Sequence, residues 1–194
     1  MEVHMAKQHG EFESVRAAIL ETAAKLFTSR GIHEASLADI AKDAKLSKGT
    51  IYYYYPSKDH LINDISDYHF GRITDMIFVW IETLDRDTGP RDALSVIFEA
   101  FTEDESIYKL HMVLCLEAMQ GNVSLQKKLA AKYREWTVMI EVGSLKLASP
   151  ASERLRKLSQ AFMAMIDGFI LQSNLGIDGL TGDMLVGLIL GELD

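Results

Sequence analysis

Three prolines, Pro56, Pro90 and Pro150, are all that this 194-residue chain contains, and each falls where an apolar run of helical spacing begins or ends. Proline lacks a backbone N–H and disfavours helix in its predecessor, so prolines confined to such borders leave long stretches free to be helical. Within those stretches apolar residues recur at intervals of three and four, and strand-like alternation is hard to find. The fold expected is all-α with about nine helices, divided three and six. The first should run over residues 13–29 and stop at Gly31. The second opens with Ser36-Leu37-Ala38-Asp39, which has the form of a capping box. A third, over residues 47–55, must stop before Pro56, and Ser57 then caps a long fourth helix reaching about residue 84. Later helices are expected from Pro90, over 106–120, 123–148, 150–174 and 180–192. The division expected is residues 1–57 and residues 58–194.

Composition narrows the class. With 48% apolar residues the chain can bury a core without staples, and its single Cys115 allows no internal disulfide, which fits a reducing cytosol. No stretch reaches the roughly 18 uninterrupted apolar residues of a membrane span, since Asp167 breaks the densest one. The first residues carry no apolar signal region, so the expected location is cytoplasmic. The six histidines form no pair at metal-ligand spacing, and no triad, phosphate loop or carboxylate dyad is legible. Neither an enzyme nor a metal or other cofactor is expected. Asn122-Val123-Ser124 reads as a helix start, and Gly187 with Gly191 as a point of close helix packing.

The net charge of −8 is unevenly spread. Residues 1–60 carry as many cations as carboxylates, and all the excess acid follows. Between Arg30 and Lys58 the balance turns basic, through Lys42, Lys45 and Lys48. In that region residues 36–55 form two short helices joined by Ala44-Lys45-Leu46, the spacing of a helix-turn-helix and equally of any small helical hairpin. The run Tyr52-Tyr53-Tyr54-Tyr55 separates the two. Four consecutive residues sweep most of a helix circumference, so they cannot all face a core. Ile51 and Tyr55 share the inward face, and Tyr52 and Tyr53 point away beside Lys48 and Lys58. Outward tyrosine hydroxyls, lysines and helix N-terminal N–H groups are donors suited to phosphate, and Gly49 lets main chain approach a sugar or base edge.

Ser47 through Leu61, with Ile19 through Phe27, Gly31, Ser36 and Ile40-Ala41 upstream, resembles the DNA-binding segment of the tetracycline-repressor (TetR) family. The resemblance implies a homodimeric regulator with an N-terminal helix-turn-helix and a C-terminal effector-binding and dimerisation domain, acting on a double-stranded operator, with repression the family's usual sense. It also implies roles. Ser36 and Tyr52 would hold phosphates; Lys48, Gly49, Thr50 and Tyr53 would lie nearest base edges, after Ser47 at the helix start. Tyr54 would flank the backbone and Lys58 would clamp a phosphate.

Beyond the motif the resemblance names no residues, and the expectations rest on side-chain chemistry. Trp80, Phe98, Phe101, His111, Met112, Cys115, Met119, Tyr133 and Trp136 supply large adaptable groups for a small apolar effector, or else plain core. A constitutive repressor without an effector is the alternative. Helices apolar all round need cover all round, so Ala161, Ala164, Met165, Gly168 and Phe169, with Leu185 and Leu188, are expected at a two-fold interface.

Overall fold

The computed structural model describes residues 2–85, 87–147 and 151–192, and these hold nine α-helices and no strand. In order they are α1 (Glu2–Arg30), α2 (Leu37–Asp43), α3 (Lys48–Tyr54), α4 (Lys58–Thr83), α5 (Pro90–Thr102), α6 (Glu105–Met119), α7 (Val123–Ser144), α8 (Ala151–Asn174) and α9 (Gly182–Leu190). The main departure from expectation is at the start, where α1 begins at Glu2 and not near residue 13. An apolar stripe marks helix that packs; residues 2–12 have none, yet are rich in good helix formers such as Ala, Lys, Gln and Glu. α7 also ends at Ser144, before the expected limit, while the expected borders at Ala148 and Pro150 lie outside the described residues.

Two compact units share the chain, and α4, α6 and α7 each contribute to both. The first runs up to His69 and takes in Lys109–Leu125. Its core holds Ile19, Phe27, Ile40, Ile51, Leu61 and Ile65, each fully buried. Gly31 ends α1 in the left-handed region (φ 86°), as expected. Ser36 completes the capping box of α2: its hydroxyl oxygen accepts the Asp39 N–H at 3.1 Å, while the Asp39 carboxylate accepts the Ser36 N–H at 3.0 Å.

The turn that follows is a Schellman closure built without glycine. Leu46 N–H donates to the Ala41 carbonyl at 2.8 Å and Lys45 N–H to that of Lys42 at 3.1 Å, which requires Lys45 at φ 56°. A side chain there costs about 1 kcal/mol relative to glycine. Ser47 then caps α3, accepting the Thr50 N–H at 3.0 Å.

The same unit is tied by one carboxylate. Asp64 on α4 receives both Arg16 Nε, at 2.8 Å, and Arg16 Nη2 from α1, and it accepts the Tyr55 hydroxyl at 2.5 Å. The Tyr55 ring, which ends α3, is 4% exposed, and burial with the neighbouring carboxylate pushes its phenol well above the ordinary tyrosine range. The guanidinium is likewise raised by its hydrogen bond to Asp64.

The second unit comprises Phe70–Tyr108 and the chain from Gln126 onward. Here α5, α8 and α9 pack on one another. Trp80 lies against bare backbone at Gly143, where an added Cβ would fall 2.8 Å or less from its ring, and its indole N–H donates to the Ala93 carbonyl at 2.8 Å. Phe98 fills the space a Cβ on Gly182 would occupy and meets Phe169 edge-on at 4.9 Å. The Gly187/Gly191 reading needs correction at its second member. Gly187 is buried, but Gly191 is the left-handed cap of α9 (φ 75°), with the Arg154 guanidinium against it.

Lys45→Gly should relieve the turn and raise unfolding free energy by about 1 kcal/mol, measured by urea denaturation; an unchanged or lower value would show that the left-handed lysine is not strained.

Candidate nucleic-acid interface and effector region

The three-residue turn leaves one side of α3 uncovered. Lys48 and Gly49 are exposed, Thr50 is half-buried, and Tyr52 and Tyr53 stand 51% and 77% exposed while Ile51 is fully buried. The outward pair and inward anchor are thus arranged as the tyrosine run required. Lys42 and Lys45 are exposed alongside. A Cβ on Gly49 would meet only the Ser47 hydroxyl, at the ordinary distance of 3.6 Å, so nothing within the chain demands glycine in this helix.

Other motif residues are engaged locally. Ser36 donates its hydroxyl to Asp39 Oδ2 at 2.5 Å, which holds that carboxylate below its usual range, and the Ser47 and Thr50 hydroxyls are 2.8 Å apart. Tyr54 stacks on Phe12 of α1 at 4.5 Å and stands edge-on to Tyr53 at 5.6 Å. It braces α3 against α1, a part that its position beside Tyr53 did not reveal. The Lys58 ammonium donates to the His33 carbonyl at 3.1 Å, and the His33 ring lies 3.3 Å from Glu117 and 3.2 Å from the Gln120 side-chain oxygen.

The aromatic and sulfur-bearing residues expected to hold an effector do not form one group. Trp80, Phe98 and Phe101 are buried in the second unit. His111 is buried in the first, 3.2 Å from His69, and desolvation pushes its imidazole down to about 4, so it is neutral at physiological pH. Met112 and Cys115 are half-buried, and Met119 is 74% exposed. Tyr133 and Trp136 do come together, at 5.4 Å, with Phe70 edge-on to Trp136 at 5.8 Å. The Trp136 indole donates to the Thr74 hydroxyl at 3.0 Å, and the Tyr133 hydroxyl to Asp167 at 2.7 Å. Burial raises the Asp167 carboxyl to about 6 against that hydrogen bond. Sequence reasoning passed over Asp167 except as a break in an apolar run; a lone carboxylate in such a run was the available signal.

The residues expected at a two-fold interface divide as well. Ala161, Ala164 and Leu188 are exposed, and Met165 and Gly168 half-buried. Leu185 is turned into its own unit at 7% exposure, and Phe169 leans on Phe98. A Cβ on Gly168 would meet nothing.

Residues 19–65 match the family described as bacterial regulatory proteins, tetR family. The chain is 28% identical over 131 residues to the HTH-type transcriptional regulator YuxN of Bacillus subtilis, covering 66% of this chain and 43% of that protein. It is 28% identical over 103 residues to the HTH-type transcriptional repressor KstR2 of Mycobacterium tuberculosis, covering 51% and 48%. The chain spans about half the length of these curated relatives. Its fold is similar to that of a transcriptional regulator from Saccharomonospora viridis in complex with choline, with a TM-score of 0.69 at 21% identity over 92% of this chain and 95% of that one. Among the described residues no helix is long and apolar enough to cross a membrane. The stretch that matches the tetR family, residues 19–65, thus holds the end of α1, the pair α2 and α3 and the start of α4, within a fold shared with that neighbour along nearly all the chain's length.

Proposed function

We propose that this protein is a ligand-responsive transcriptional repressor that binds a palindromic operator as a homodimer and leaves it when a small effector binds. The observation that carries the reading is the uncovered side of α3, where Gly49, with only the Ser47 hydroxyl near its missing side chain, sits between Lys48 and the exposed pair Tyr52 and Tyr53. Glycine costs a helix about 1 kcal/mol relative to alanine. Because no neighbour in the chain needs the missing side chain, the body that approaches there lies outside the protein. A duplex groove fits, with Lys48, Thr50 and Tyr53 at base edges and Ser36, Tyr52 and Lys58 on phosphates. Lys58 would exchange the His33 carbonyl for a phosphate oxygen. A net charge of −8 disfavours unspecific coating of DNA, which depends on cation count.

Two-fold pairing is supported by the outward face of α8 and α9, where Ala161, Ala164 and Gly168 leave room for close approach beside Leu171, Met184 and Leu188, which are 50%, 43% and 52% exposed. Phe169 and Leu185 would act behind that face as packing. Pairing sets two copies of α3 against successive major grooves, roughly 34 Å apart. For the effector, the group formed by Tyr133, Trp136 and Asp167 suits an organic cation, through ring faces and a carboxylate. The choline held by the Saccharomonospora viridis regulator supports that class. By linkage, an effector that lowers operator affinity is itself bound more weakly when DNA is present.

Gly49→Ala should raise unfolding free energy by about 0.5–1 kcal/mol while weakening operator binding, a divergence no purely structural role produces. In the same gel shifts Lys58→Ala should weaken binding to all sequences alike and reduce the salt slope by about one. Variants that bind as tightly as the wild type would remove α3 as the reading helix.

Asp167→Asn separates the effector site from the operator site. A carboxyl raised to about 6 when folded gives its full stabilisation below its unfolded value and loses it as pH climbs through 6. The asparagine variant should therefore gain on the wild type between about pH 4 and 7, by roughly 2 kcal/mol, in denaturation curves. It should also lose the Trp136 fluorescence response to choline. An unchanged response would remove Asp167 from the effector site.

A further inference from the structure

A cleft of about 610 Å³ lies beside the first turns of α4, bounded by that helix and by the turn from α6 into α7. All its lining residues belong to the first unit, and none was assigned above to operator, effector or dimer contacts. From α4 it is lined by Asp59, Asn63 and Ser66, whose spacing of four and three puts them on one helix face, together with His60 and Ile62. Opposite come Glu117 and Gln120 from the end of α6, and Asn122, whose side-chain oxygen caps α7 by accepting the Leu125 N–H at 3.1 Å.

The chemistry of this lining selects its ligand. Two carboxylates are present, and no lysine, arginine, phenylalanine, tyrosine or tryptophan is among the described lining residues. An anion would face carboxylates without a countercharge, and an apolar molecule would strip water from amides and a hydroxyl. Glu117 weighs most, because its side chain is only 11% exposed. Its partners are the His33 ring, 3.3 Å from Oε2, and the Asn122 amide, 3.4 Å from Oε1. Neither carries a permanent positive charge, so a mostly buried carboxylate is left to be neutralised. A quaternary ammonium has no N–H to give the surrounding oxygens, and the one ring among the described lining residues is the His60 imidazole.

We propose that the cleft binds a small aliphatic diamine or polyamine, with one ammonium at Glu117 and another at Asp59. Asn63 and Gln120 supply oxygens for the remaining N–H groups. Such a ligand competes with His33 for Glu117, and the His33 carbonyl is the group that holds Lys58. Amine occupancy therefore alters the setting of the phosphate clamp; this consequence, unlike the binding itself, rests on the operator reading.

Calorimetry on the full chain without DNA decides the binding, using putrescine and spermidine, with tetramethylammonium as the quaternary control. Both amines should bind with one site per chain, at least about tenfold tighter than the control. Glu117→Gln should weaken them about tenfold or more, and so should Asn63→Leu, which replaces a lining amide by an apolar side chain while keeping both carboxylates. Glu135→Gln, which alters a carboxylate paired with Lys132 in the other unit, should leave binding unchanged. Circular dichroism checks the variants; if Glu117→Gln lost its helix signal, Asn63→Leu would carry the test. Absence of heat with either amine, undiminished affinity in a folded cleft variant, or equal loss in Glu135→Gln would overturn the proposal. Gel shifts then test the coupling: putrescine should lower operator affinity more in the wild type than in Glu117→Gln. A failed titration leaves the operator reading standing, and a failed gel shift leaves the amine site standing.

Discussion

The half-buried Asp64 carboxylate is the constraint on which the helix-turn-helix unit depends. It gathers two guanidinium donors from Arg16 and the hydroxyl of Tyr55, so α1, α4 and the end of α3 meet at one group. A carboxylate drawn partly out of water is costly unless its oxygens are satisfied, and bidentate arginine with a phenol satisfies them in a fixed geometry. That geometry sets the angle of a seven-residue helix too short to hold itself. Ile51 and Tyr55 are then pinned inward, and Tyr52 and Tyr53 face out as a consequence.

Glycines separate what the chain needs for itself from what something else requires. At Gly143 and Gly182 the missing side chain is filled by Trp80 and Phe98, and at Gly191 by Arg154, so these positions are internal packing. Gly71 and Gly168 sit inside helices with open space where a Cβ would go, and a Cβ on Gly49 would meet only the Ser47 hydroxyl, at 3.6 Å. None of the three is required by packing within the chain; Gly49 and Gly168 lie on the surfaces proposed for DNA and for a second copy, and Gly71 on neither.

The polar groups divide in the same manner. Ser36, Ser47 and Asn122 are occupied in starting helices, and Asp64 in joining them. Asp167 and Glu117 are mostly buried carboxylates whose partners are a phenol, an imidazole and an amide, none of them permanently charged. Carboxylates in that condition are where an incoming cation gains most, because the desolvation cost is already met by the fold. The two differ in surroundings: Asp167 lies beside Tyr133 and its ring neighbour Trp136, whereas Glu117 lines a cleft of amides and hydroxyls. They accordingly select cations of different kinds.

Local chemistry was enough for the sequence to determine the all-α class, most helix borders and the outward face of α3. Ser36 with Asp39, Ser47 before its helix, Pro56 after Tyr55 and Gly31 act within a turn of themselves, and the tyrosine run forces an outward face by helical geometry alone. The start of α1 escaped because only packed helix carries an apolar stripe, and the left-handed Lys45 because lysine gives no sign of that conformation. What only the tertiary structure decided depends on residues far apart in the chain: the partnership of Arg16 and Asp64, the seat of Trp80 on Gly143, and the approach of Tyr133 to Asp167. The same holds for the effector candidates, since apolar periodicity identifies a side chain that is covered but not what covers it. Trp80 and Phe98 became core, Met119 became surface, and Asp59 joined Glu117 in one cleft because distant helices meet there.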